Sequence, residues 1–80
     1  SEGGWRDTVM SVFDYFTART PGSHVEAKAV SLTWHYRQAD PDLGRYQAGA
    51  CLDFLSQTVA SAGLPVAVVA GKRNIEVRPD

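Results

Sequence analysis

The sequence predicts an α+β fold. It is a two-layer, open-faced sandwich in the order αββαββ, with a four-stranded, mainly antiparallel sheet and two helices on one face. Three observations carry this. Apolar residues recur at helical spacing in two separate stretches, one from Trp5 and one from Pro41. Each stretch is followed by a pair of short runs able to form a hairpin. Where the first pair alternates, one side is apolar and the other ionic, as in a sheet with one buried face.

In the first stretch Trp5, Val9, Val12, Phe13 and Phe16 share one helical stripe, with Met10 and Tyr15 off it. The spacing predicts a helix from Trp5 to Ala18. It must end before Pro21, because the residue preceding proline resists the α region. Pro21-Gly22-Ser23 is then a turn.

His24-Val25-Glu26-Ala27-Lys28-Ala29 and Leu32-Thr33-Trp34-His35-Tyr36-Arg37 alternate with period two. Val25, Ala27 and Ala29 fall on one side, as do Leu32, Trp34 and Tyr36. The opposite side carries His24, Glu26, Lys28, Thr33, His35 and Arg37. A two-residue turn at Val30-Ser31 would place Ala27 opposite Trp34 and Glu26 opposite His35. Val-Ser lacks the residues that two-residue turns favour, so a longer loop is the alternative.

Asp40 as N-cap, Pro41 at the first helical position and Asp42 in the first turn mark the second helix. Leu43, Gln47, Ala50, Cys51, Phe54, Leu55 and Val59 form its predicted stripe, and Gly63 its C-cap, with Pro65 beyond. Val66 to Ala70 and Arg73 to Arg78 are the last strands. A turn at Gly71-Lys72 would pair Val68 with Ile75 and Val66 with Val77.

Eighty residues make one domain at most. A chain this short buries only roughly 60% of the surface its unfolded form exposes, so the core is thin. The net charge is −1 and the charges are interleaved, leaving no basic stripe for nucleic acid. No apolar run is long enough to span a membrane. A lone Cys51 excludes an internal disulfide and suits a reducing, cytoplasmic setting. Pro79-Asp80, a turn opener with nothing after it, reads as a cut in a longer chain.

The ionic strand face has two readings. One is an ordinary solvated face. The other is a recognition surface for a polyhydroxylated or anionic ligand, where carboxylates accept from hydroxyls and Lys and Arg donate. No nucleophile constellation, phosphate loop or metal-ligand cluster is present, so catalytic and metal residues are both predicted to be none.

Three stretches resemble those of the trehalose-6-phosphate phosphatase family. They are Arg19-Thr20-Pro21-Gly22-Ser23 with Glu26 and Lys28, then Trp34-His35-Tyr36-Arg37 with Ala39-Asp40-Pro41, then Gly71-Lys72 with Glu76-Val77-Arg78-Pro79. The matching motifs read R-T-P-G-S-x-x-E-x-K, W-H-Y-R-x-A-D-P and G-K-x-x-x-E-V-R-P, in the family's order and spacing. The resemblance implies that residues 1–80 are the cap domain inserted into a haloacid-dehalogenase-like phosphatase core. It implies that Glu26, Lys28, Arg37, Lys72 and Glu76 grip the trehalose moiety of trehalose 6-phosphate, with His35 in support. It also implies that the nucleophile and acid/base aspartates of a D-x-D-G-T motif, and the magnesium they work with, belong to a core outside this chain. The 80 residues alone would then be catalytically inactive.

The remaining polar residues have simpler roles. Trp34 and Tyr36 point to the core, His24 and Arg78 are solvated edge residues, and Asp40 and Asp42 serve the helix start. Two other functions stay open. The parent could be a trehalose-phosphate synthase whose phosphatase-like half is inactive and regulatory, or the domain could be a free-standing sugar-binding or interaction module.

Overall fold

The computed structural model describes residues 4–80. Their order is α1 (Gly4–Arg19), β1 (His24–Ala27), β2 (Leu32–His35), α2 (Pro41–Ala62), β3 (Val66–Gly71) and β4 (Asn74–Pro79). The four strands form one antiparallel sheet in the order β1-β2-β4-β3, and both helices pack on one side of it. This is the predicted αββαββ sandwich.

Each predicted stripe residue of α1 (Trp5, Val9, Val12, Phe13 and Phe16) is buried. Across from them lie Leu32, Trp34, Ile75 and Val77, all essentially without solvent contact. Trp34 is the largest fully buried side chain. Its indole N–H is not wasted: it donates to Thr17 Oγ1 at 3.0 Å, which satisfies a polar group that burial would otherwise penalise. Phe16 meets the indole edge-on at 6.5 Å, and Tyr36 stacks on it at 5.2 Å.

The turn after α1 requires a glycine. Gly22 has φ of +93°, and a Cβ there would lie 2.4 Å from the carbonyl oxygen of Gln38. This close approach ties the α1–β1 turn to the connection leading into α2.

The helix ends of α2 form as their local chemistry dictates. The Asp40 carboxylate accepts from the Leu43 N–H at 2.9 Å, Pro41 starts the helix, and left-handed Gly63 closes it. Its buried face differs from the predicted stripe. Gly44, Ala48, Cys51 and Leu55 are buried, whereas Leu43, Gln47 and Ala50 are half-buried and Phe54 is 55% exposed. The cause is close packing. A Cβ on Gly44 would come 3.1 Å from a Tyr36 ring carbon, so the helix turns its small residues toward the sheet.

Both hairpins are shifted by two residues from the predicted pairing. Val25 pairs with Trp34 and Ala27 with Leu32, so the connection is the four-residue loop Lys28–Ser31 and not a Val30-Ser31 turn. The Lys28 N–H donates to Ser31 O at 2.9 Å, and the Arg6 guanidinium bonds the carbonyls of Lys28 at 3.0 Å and Ala29 at 3.5 Å. Ala29 therefore leaves the sheet. In the second hairpin Gly71 pairs with Asn74, and Lys72-Arg73 form the tip, with Arg73 at φ of 61°. The Tyr36 N–H donates to Arg73 O at 3.1 Å and holds that tip in place. A two-residue slip keeps every side chain on its own face, so the division into apolar and polar sides survives both corrections.

Candidate binding face

The side of the sheet without helices carries two cross-strand rows. One runs Glu26, Thr33, Glu76, Val69 across β1, β2, β4 and β3. The next runs His24, His35, Asn74, Gly71. Antiparallel pairing puts directly opposed residues on the same face, so carboxylates from both halves of the chain share one surface. Thr33, between Glu26 and Glu76, is only 6% exposed.

Glu26 is the best-connected group on this face. Its Oε1 lies 2.8 Å from His35 Nε2, and its Oε2 lies 3.9 Å from Lys28 Nζ. The hydrogen bond to His35 above all, and then the Lys28 charge, hold its carboxyl below the ordinary value of 4.5. At neutral pH it is an ionised, acceptor-only group. Glu76 is half-buried and lies 3.4 Å from Arg78, two positions on along β4.

The cations occupy the ends of the face. Lys28 follows β1 at one end and curls back toward Glu26. Arg37, two residues past His35, and Lys72, at the β3–β4 tip, lie toward the other end; both are exposed. Glu26, His35 and Glu76 are thus brought together on the ladder, while Lys28, Arg37 and Lys72 fringe it. The groove between α1 and α2, lined by Tyr15, Tyr46 and Phe54 among others, belongs to the opposite layer and includes none of these six.

Two partners escaped the sequence reading. His24 is not simply solvated, because its ring stacks on His35 with centroids 5.0 Å apart. Arg78 pairs with Glu76. The signal for Arg78 was present in the i, i+2 spacing of a strand. His24 could be found only with the correct register, in which it faces His35 directly. Among the described residues no three His, Cys, Asp or Glu side chains converge on a cation position. Nor, among the described residues, is any helix long and apolar enough to cross a membrane.

The trehalose-phosphatase family model matches residues 2–80. A trehalose-phosphatase of Zygosaccharomyces rouxii is 49% identical over 75 residues, covering 94% of this chain and 8% of that protein. A UDP-forming alpha,alpha-trehalose-phosphate synthase, form B, of Dictyostelium discoideum is 47% identical over 79 residues, covering 99% of this chain and 10% of that protein. The solved structure of Aspergillus fumigatus trehalose-6-phosphate phosphatase superimposes with a TM-score of 0.92 at 54% identity, covering 99% of this chain and 29% of that one. The chain thus spans about a tenth or less of the length of these curated relatives.

Proposed function

The chain belongs to the trehalose-phosphatase family, and we propose that it is the cap of such an enzyme, the part that recognises the sugar of trehalose 6-phosphate. The observation that carries this reading is the Glu26–Thr33–Glu76 row, which sets two carboxylates from separate hairpins on one exposed face. A disaccharide offers many hydroxyl donors, and ionised carboxylates are acceptors only. Hydrogen bonds to a charged group are the stronger kind. Lys28, Arg37 and Lys72 at the fringe donate to hydroxyl oxygens, and His35 holds Glu26 in place.

In this reading the labour is divided. The hydrolytic aspartates belong to a catalytic core, and no Asp-x-Asp-Gly-Thr run occurs in these 80 residues. Magnesium, held by core carboxylates, would neutralise charge on the phosphate. The cap residues bind and orient the sugar and exclude water as the two parts close. Specificity follows because a wrong sugar leaves buried polar groups unpaired. A cytoplasmic setting accords with a single buried, unbridged thiol.

In the full-length enzyme, Glu26→Ala or Glu76→Ala should lower kcat/KM for trehalose 6-phosphate about ten- to a hundredfold, from the loss of one charged hydrogen bond. Turnover of a small phosphate ester should hardly change. Equal loss on both substrates overturns the reading.

The likeness to a trehalose-phosphate synthase favours a second reading, in which the same cap sits on an inactive phosphatase-like half with a regulatory role. The two core aspartates decide between them. If they are present upstream in the full-length sequence the enzyme reading holds, and if they are replaced the regulatory one does.

A further inference from the structure

The stacked pair His24 and His35 bears on how Glu26 is presented. His24 is the direct cross-strand partner of His35, and their rings lie 5.0 Å apart, inclined by 21°. His35 Nε2 lies 2.8 Å from Glu26 Oε1. An ionised carboxylate only accepts, so the Nε2 position must carry the proton in that contact. This fixes one of two possible tautomers.

An exposed pair of this kind is weak by itself, because two side chains give up rotamer freedom for one bond in a wet environment. A ring held in plane by a neighbour has already lost that freedom. Among the described residues, no other side chain hydrogen-bonds the His35 ring. Asn74 opposes it from β4 as a neutral amide, Thr33 is a neutral hydroxyl, and Glu76 and Arg78 are paired with each other. Lys28 approaches the second Glu26 oxygen at 3.9 Å.

We propose that His24 is a positioning residue: its ring sets the plane of His35, so that His35 donates to Glu26 Oε1 and Oε2 is left free beside Lys28. Oε2 and Lys28 Nζ then form an acceptor and a donor side by side, a pairing suited to adjacent hydroxyls of a sugar ring. The ligand class rests on the sugar-cap reading. The tautomer and plane of His35 do not.

Two measurements separate these layers. In the isotope-labelled 80-residue chain, long-range ¹H–¹⁵N spectra read the His35 tautomer. We expect the Nε2–H form in the wild type and in His24→Phe, which keeps the stack, and a tautomer mixture in His24→Ala. An unchanged tautomer in His24→Ala overturns the proposal. Backbone amide spectra of each variant check that the fold persists. In the full-length enzyme, His24→Ala should raise KM for trehalose 6-phosphate about three- to tenfold with kcat nearly unchanged, and His24→Phe should restore it. If Phe fails where Ala fails, the stacking role is wrong. If the tautomer follows the stack while KM does not, His24 keeps its positioning role and the sugar reading falls.

Discussion

Cys51 shows how one position on a helix settles a side chain's chemistry. It faces the core with no solvent contact, and burial pushes its thiol up to about 12. The thiol should resist alkylation at neutral pH in the folded chain and react readily once denaturant exposes it. Equal rates in the two states would contradict its burial. Between pH 9.0 and about 12 the unfolded chain gives up a proton that the folded chain retains, so stability should fall as pH rises through that window. Glu26 has the opposite sign. Its lowered pKa contributes stability that is present above 4.5 and lost as pH falls through the folded value. Acid melts of Glu26→Gln should lack that part of the decline. Which strand residues share the ionic face was legible because strand alternation assigns a face to each. The Glu26–His35 pair was legible as well, although the two residues sit diagonally and not directly opposite; the stack of His24 on His35 was not, because it depends on cross-strand register.

Helix ends were readable from the sequence since a cap is chemistry between near neighbours. Asp40 and Gly63 close α2 where the residue types place them. Asp40→Ala should cost about 1 kcal/mol, a drop in Tm of roughly 4–8 °C for a domain of this size. A thermal melt followed by circular dichroism checks this, and an unchanged Tm would mean that the carboxylate contact adds nothing. The buried face of α2 was harder to read. Hydrophobic periodicity cannot weigh Gly44 as an inward residue, because what turns it inward is the ring of Tyr36. The hairpin registers were harder to read for a similar reason, though the longer first loop was the stated alternative. The turns are held where they are by Arg6 on the Lys28 and Ala29 carbonyls and by the Tyr36 N–H on the Arg73 carbonyl, contacts made by residues remote in sequence.

At the scale of the molecule, the strand order β1-β2-β4-β3 places β2 and β4 at the centre and β1 and β3 at the edges. Leu32, Trp34, Ile75 and Val77 line that centre under the two helices. Amide exchange should therefore be slowest in Leu32–His35 and across Ile75–Val77, and fastest among the strands in β1. Faster exchange at the centre than at the edges would contradict the topology. The αββαββ order was legible because each helix and hairpin announces itself locally. The central pairing was not, because nothing near Thr33 in sequence specifies Glu76 as its neighbour.

That pairing has a further consequence. The first half of the chain supplies Glu26 and His35, the second supplies Glu76, and neither half possesses the joint surface. The ionic face is assembled at a suture, complete only when remote segments have zipped together. Under the proposed sugar-cap reading, a partly folded molecule holds a broken grip, and competence to recognise a ligand becomes a report on finished folding.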